Sequence, residues 1–268
     1  MKDRNLFGGI LATIASLMGI IGHIFLFLRW YRIGEDPAKP WTKTAIGPPI
    51  HAGAAAGDVD RDGDIDVVRG GVWFESRDRG ASWTEHRFVG IPWSDVSGAF
   101  RDSTKSWVAD MNRDGRPDIV LTEAEIQGAR AAWFEGPADP REASWKPHIL
   151  AQSDSERRGP YHSLAVADFD LDGDPDIFAG EMEHLAVPPH RWYLWENAAG
   201  DGSAFIERAI LDAGLGTHEA VAGDVEGDGD IDILGKLWRP DPKNANGGRN
   251  HVDFLENLLR SPKAGPER

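Results

Sequence analysis

The sequence predicts an all-β chain: a four-bladed β-propeller closed by an N-terminal strand, with one N-terminal transmembrane α-helix in front of it. Three observations carry this expectation. An acidic nine-residue loop occurs four times at nearly even spacing. Each copy is flanked by apolar runs of strand length. Residues 6–28 form one stretch without a formal charge.

The loops are residues 58–66 (DVDRDGDID), 110–118 (DMNRDGRPD), 168–176 (DFDLDGDPD) and 224–232 (DVEGDGDID), and their first residues lie 52, 58 and 56 apart. Calcium is a hard cation that takes several oxygen ligands in flexible geometry. Carboxylates at positions 1, 3 and 5 converge only if the chain turns sharply. Glycine at position 6, the first being Gly63, allows that turn. Position 7 offers its carbonyl and position 9 a last carboxylate. The expected ligands are therefore Asp58, Asp60, Asp62, Asp64 and Asp66 in loop one, and Asp110, Asn112, Asp114, Arg116 and Asp118 in loop two. They are Asp168, Asp170, Asp172, Asp174 and Asp176 in loop three, and Asp224, Glu226, Asp228, Asp230 and Asp232 in loop four. Up to four Ca²⁺ are expected. Loops one and three should bind most tightly, because loop two carries Asn112, Arg113 and Arg116, and loop four has the longer Glu226 at position 3. Four polar β-turns would be the plainer reading of Asp and Gly; recurrence at fixed positions over four copies argues against it.

These loops are not EF-hands. An EF-hand needs a glutamate at position 12 and a helix on each side. Position 12 is Arg69, Leu121, Ala179 and Gly235. The flanks read as strands: 54–56 and 65–68, 107–109 and 119–121, 164–167 and 177–178, 220–222 and 231–234. A third strand follows in each unit, ending in Glu75, Glu135, Glu196 and Glu256. A fourth follows in three of them, at 83–88, 145–149 and 205–210. Four short strands per unit is the content of a propeller blade. The fourth unit lacks its last strand, and residues 41–46 (WTKTAI) resemble the missing piece. A closing strand would remove the open edge of the ring. The alternative, an open half-ring pairing with another chain, is disfavoured by that strand.

With these motifs, residues 41–258 resemble the FG-GAP/VCBS repeat family, calcium-binding β-propellers with Asp-x-Asp-x-Asp-Gly-x-x-Asp loops. Family members commonly have seven blades, so four is a departure. The resemblance includes adhesion heads, lectins and carbohydrate-active enzymes, so it does not choose a function.

The expected organisation is a tail at 1–5, a transmembrane helix with its interfacial end at 6–32, a linker at 33–40, the propeller at 41–258 and a polar tail at 259–268. Residues 6–28 are long enough to cross a bilayer, and Trp30, Tyr31, Arg29 and Arg32 suit its interface. A cleaved signal peptide competes, but the apolar run is long and no small-x-small site follows it. Charge counting alone would keep the propeller in the cytoplasm. The calcium chemistry places it on the periplasmic, extracytoplasmic side, with a cytoplasmic N-terminus. His23 lies inside the apolar run. Its two readings are close helix packing along Ala15, Gly19 and His23, which is favoured, and ligation of a haem or chlorophyll-type pigment.

The net charge is −15, of which the loops contribute 18 acidic side chains, and this argues against nucleic-acid binding. There is no cysteine, and hence no disulfide framework. His51, His162 and His218 each precede a loop by six or seven residues, so they would begin inner strands near the axis. They form a candidate axial cluster for zinc or iron, with Glu123, Glu181, Glu219 and Lys236 on the same face; bonding to neighbouring backbone is the structural alternative. No nucleophile triad, phosphate loop or paired-carboxylate signature stands out. The expected function is a non-enzymatic accessory or scaffold subunit docking to an integral membrane protein complex, with electron transfer or photosynthesis as the example that His23 prompts. The alternatives are a carbohydrate-binding module or sugar-active enzyme, suggested by eleven tryptophans, and a calcium-dependent adhesion module.

Overall fold

The structure, a computed structural model, describes residues 28–48, 52–90, 103–151, 158–183, 188–240, 242 and 246–260. Every helix or strand among them is a strand. β1 (Leu28–Arg32) and β2 (Thr42–Gly47) form an antiparallel hairpin. The repeats follow as antiparallel sheets. The first holds β3 (Ala55–Gly57), β4 (Asp66–Arg69), β5 (Val72–Arg77) and β6 (Ser82–Arg87). The second holds β7 (Thr104–Ala109), β8 (Asp118–Glu123), β9 (Ala131–Glu135) and β10 (Lys146–Ala151). The third holds β11 (Tyr161–Ala167), β12 (Asp176–Glu181), β13 (Trp192–Glu196) and β14 (Ile206–Leu211). The fourth has three strands, β15 (Glu219–Gly223), β16 (Asp232–Lys236) and β17 (Val252–Leu255).

Alternation along the strands decides which way each sheet packs. The residue after the position-9 aspartate (Val67, Ile119, Ile177, Ile233) is buried on the face toward the preceding unit. The next residue (Val68, Val120, Phe178, Leu234) points the other way. It pairs across the sheet with Trp73, Trp133, Leu194 and Phe254 respectively. Three apolar cores result, one in each gap between successive sheets. Val68, Trp73, Ile119 and Phe134 meet in the first, Val120, Trp133, Ile177 and Trp195 in the second, and Phe178, Trp192 and Ile233 in the third. The first strands β3, β7, β11 and β15 neighbour one another in that order, while β3 and β15 make no comparable contact among the described residues.

Two fold expectations are overturned. The first is the interfacial end of the transmembrane helix expected at 6–32, of which residues 6–27 lie outside the described residues. No helix among the described residues is long and apolar enough to cross a membrane. Residues 28–32, expected at the end of that helix, are strand β1. The aromatic pair in this segment suits a pleated, half-buried surface: Trp30 packs on Trp83 with ring centroids 5.6 Å apart, and Arg32 Nη2 donates to the Arg79 carbonyl. The second is ring closure. Residues 41–46 do form a strand, but β2 pairs with β1 and leaves β17 as the edge of a three-stranded sheet. Nothing among the described residues closes the sheets into a ring. The local partner wins because the intervening segment is a short turn, where Asp36 Oδ1 accepts from Ala38 N–H at 3.0 Å, and closing a short loop costs less entropy than a long one. The hairpin also covers the first sheet. A Cβ on Gly47 would stand 2.5 Å from the Phe74 ring, so only glycine lets β2 approach that close.

Candidate metal centres

The four loops share one backbone design. Position 6 takes the left-handed conformation that glycine tolerates (Gly63 φ 93°, Gly173 φ 95°). Position 4 is left-handed as well, through Arg61, Arg113, Leu171 and Gly227. In loop one, Asp58 accepts from Asp62 and Gly63 N–H at 3.0 Å each. The same bonds recur from Asp110 and Asp224. The loop is therefore pre-folded, with its carboxylates crowded together.

Position 9 has a second task. Asp66 accepts from Val59 N–H and from Ser76 N–H at 2.8 Å each. Asp118 does the same for Met111 and Gly136, Asp176 for Phe169 and Asn197, and Asp232 for Val225 and Asn257. Each of these aspartates is buried and ties its loop to the start of the next connection. Each oxygen retains a further lone pair, so the tether and a metal bond are compatible. Burial pushes Asp66 and Asp118 up to about 7, and Asp176 to about 6, with the backbone bonds opposing the shift. These carboxylates resist ionising until a cation or further donors arrive.

The loops differ in what already neutralises them. Loop three gathers Asp168, Asp170 and Asp176, and loop four Glu226, Asp228 and Asp230, within chelating distance. Buried oxygens of Asp168, Asp174, Asp228 and Asp230 have no hydrogen-bond partner. Loop one gathers Asp58, Asp60 and Asp62, but Arg141 from the neighbouring unit reaches Asp60 at 2.5 Å and Glu75 at 2.7 Å. In loop two, Arg116 bonds the Asp114 carboxylate, and no chelating group of three acids or histidines forms there. The donor sets of loops one, three and four fit a hard, oxygen-liganded cation.

A different cluster lies at the opposite ends of the first strands. His162 (β11) and His218 (just before β15) stack with centroids 4.0 Å apart. His162 Nδ1 is 2.8 Å from the His218 carbonyl, and its Nε2 is 3.2 Å from Glu125 Oε1. His218 Nδ1 is buried without a hydrogen-bond partner and lies 3.8 Å from Glu219 Oε1. Lys105 Nζ is 3.0 Å from the same Glu219 oxygen. Burial first, then the nearby His162, Lys105 and Lys236, pushes His218 down to about 3. His162, His218 and Glu219 thus come together as the sequence suggested. His51 and His23 lie outside the described residues. Glu123 and Glu181 are held elsewhere, Glu123 by Arg130 and Glu181 by the N–H groups of Gly159 and Arg191. Glu125 was not anticipated; its signal is the pair Glu123 and Glu125, repeated one unit later as Glu181 and Glu183.

The described tryptophans divide between core and surface, with Trp41 and Trp107 each 37% exposed. Trp73, Trp133, Trp192 and Trp195 are core. The half-exposed Trp238 has His218 stacked at 5.7 Å and Arg239 over its ring at 4.6 Å.

The family model for the FG-GAP-like repeat matches residues 110–179, the segment from loop two through β12. A search of curated proteins finds no match for the chain. Among solved structures, the chain is similar to a thermostable family-43 glycoside hydrolase, with 14% identity, 91% of this chain and 76% of that one covered, and a TM-score of 0.38. It is also similar to a putative exo-beta-1,3-galactanase from Bifidobacterium bifidum s17, with 11% identity, 84% and 91% covered, and a TM-score of 0.29.

Proposed function

We propose that this chain is a non-enzymatic, calcium-stabilised repeat scaffold that docks a partner protein through the free face of its fourth sheet. One observation carries the reading. Val221, Val225, Leu234 and Phe254 form a contiguous apolar face and are 65%, 63%, 40% and 46% exposed. The Leu234 equivalents Val68, Val120 and Phe178 are buried against the next sheet. Position 2, for example, is buried as Val59, Met111 and Phe169. Apolar patches of this kind mark interaction sites in soluble domains.

Calcium is the proposed structural cofactor. Carboxylates of loops three and four would hold it most readily, with loop one next after Arg141 is displaced from Asp60. The ion would supply positive charge that lets crowded aspartates ionise together, and its binding energy adds to folding stability. The carbohydrate-binding alternative has less support, because Trp73, Trp133, Trp192 and Trp195 are spent on the cores between sheets.

The test is affinity purification of the full chain from its native source with calcium present, from membrane and soluble fractions in parallel. The wild type should recover a partner at fixed stoichiometry, and a Leu234→Lys variant should lose it while remaining folded. The fraction that yields the partner decides whether the assembly is an integral membrane complex. Equal recovery by both proteins, or glycan binding without a protein partner, would overturn the docking reading.

A further inference from the structure

The axial histidine cluster contains a protonation problem. A carbonyl oxygen only accepts, so the 2.8 Å contact with the His218 carbonyl fixes the proton of a neutral His162 on Nδ1. Nε2 then carries a lone pair, and it faces a carboxylate oxygen of Glu125 at 3.2 Å. Both side chains are more than nine-tenths buried. Two acceptors at that distance repel unless a proton or a metal ion lies between them. The same question arises one residue layer away. His218 Nδ1 is buried with no partner and looks toward Glu219 Oε1 at 3.8 Å. A buried nitrogen of this kind calls for an explanation, and a bound ion is one.

We propose that His162, His218 and Glu219, with Glu125 beside them, form a site for one divalent first-row transition metal ion, with Zn²⁺ as its occupant. The ligand atoms of the first three lie within 4.8 Å of one another, so modest side-chain rotation closes them onto one ion. Two imidazoles are borderline donors, and their presence beside the carboxylates selects zinc-like ions over calcium. The site is chemically distinct from the oxygen-only loops and physically separate from them. His162 and Asp168 stand at opposite ends of the β11 segment, roughly 20 Å apart along an extended chain. Lys105 is a built-in competitor. Its ammonium holds Glu219 at 3.0 Å and must release that oxygen when the ion enters.

The test uses the full chain, stripped of metal and then held in excess Ca²⁺ so that the loops are saturated. Zn²⁺ is titrated by calorimetry, and bound metal is counted by elemental analysis. One Zn²⁺ per chain should bind despite the calcium. Its affinity should fall beyond detection in His218→Ala and by roughly 10–100-fold in Glu125→Gln, with the Ca²⁺ count unchanged. Lys105→Met should bind Zn²⁺ more tightly than the wild type, an effect that a purely structural role for these side chains does not produce. Should His218→Ala fail to fold, Lys105→Met and Glu125→Gln decide the matter. Absence of zinc binding in the folded wild type would assign the His162–Glu125 contact to a shared proton and overturn the proposal. So would an affinity indifferent to all three substitutions.

Discussion

The third and fourth repeats have the same loop, the same strand order and the same buried aspartate tether, yet they end in opposite surroundings. Phe178 in the third is fully buried, while its equivalent Leu234 is 40% exposed. Phe169 is buried, while Val225 at the same loop position is 63% exposed. Both repeats present an apolar side on each face. Among the described residues, the third has a neighbour on both sides and the fourth has one on one side only. Within each repeat, local sequence writes the face; the presence of the next repeat decides whether that face becomes core or surface.

The comparison breaks most sharply under truncation. Phe178→Ala should cost about 3–5 kcal/mol in urea unfolding, as for aromatic truncations in cores. Leu234→Ala should cost less than about 1 kcal/mol, because much of its area is already in water. Equal losses would mean that the fourth sheet is covered in solution, for instance by a second copy of the chain.

Metal removal comes next. With Ca²⁺ at a hundredfold over its dissociation constant, each occupied loop adds about 2.7 kcal/mol. Asp170→Ala in loop three should therefore lower the melting temperature in calcium and leave it unchanged in chelator. Asn112→Ala in loop two should have little effect in either, since Arg116 already neutralises Asp114. A matching calcium response from the two variants would remove the distinction between the loops.

A pH series sharpens the third repeat further. Burial pushes Glu181 up to about 7, above its unfolded value. Its stabilising contribution is complete below about pH 4.5 and is lost as pH rises through about 7, with an amplitude on the order of 3 kcal/mol. In saturating calcium, Glu181→Gln should flatten the melting temperature across that window. An unchanged slope would show that Glu181 is ionised in the folded protein.

The smallest expected effect tests the face that the two repeats share. Asn197 Nδ2 donates to the Met111 carbonyl at 3.0 Å, and Asn257 Nδ2 donates to the Phe169 carbonyl at 2.8 Å. Each latches its sheet to the loop of the preceding unit. Replacing either with Ala should cost about 1 kcal/mol. A negligible cost at Asn257 alone would indicate that the fourth sheet is loosely seated.

Much of this was readable locally. The loops, their glycine turns and the alternation around Val67-Val68 or Ile177-Phe178 depend on residues within a few positions of each other. The equal spacing of His162 and His218 before loops three and four was visible locally as well. The helical reading of residues 28–32 went astray because Trp30, Tyr31 and the flanking arginines suit a membrane interface and an edge hairpin alike. Glu125 was missed because no periodic pattern places a loop residue of the second unit against a strand of the third.

The sequence by itself determined the repeat: where the chain turns, which carboxylates crowd together and which strand faces are apolar. These follow from short-range sterics, hydrogen bonding and a side-chain period of two. Only the tertiary structure decided which edge β2 pairs with, that Arg141 and Arg116 answer the acids of loops one and two, and that two histidines meet Glu125 and Glu219. A strand's pattern specifies its faces but leaves its backbone edge open to any partner, and the partner was set by which chain segments could be brought together at the lowest entropic cost.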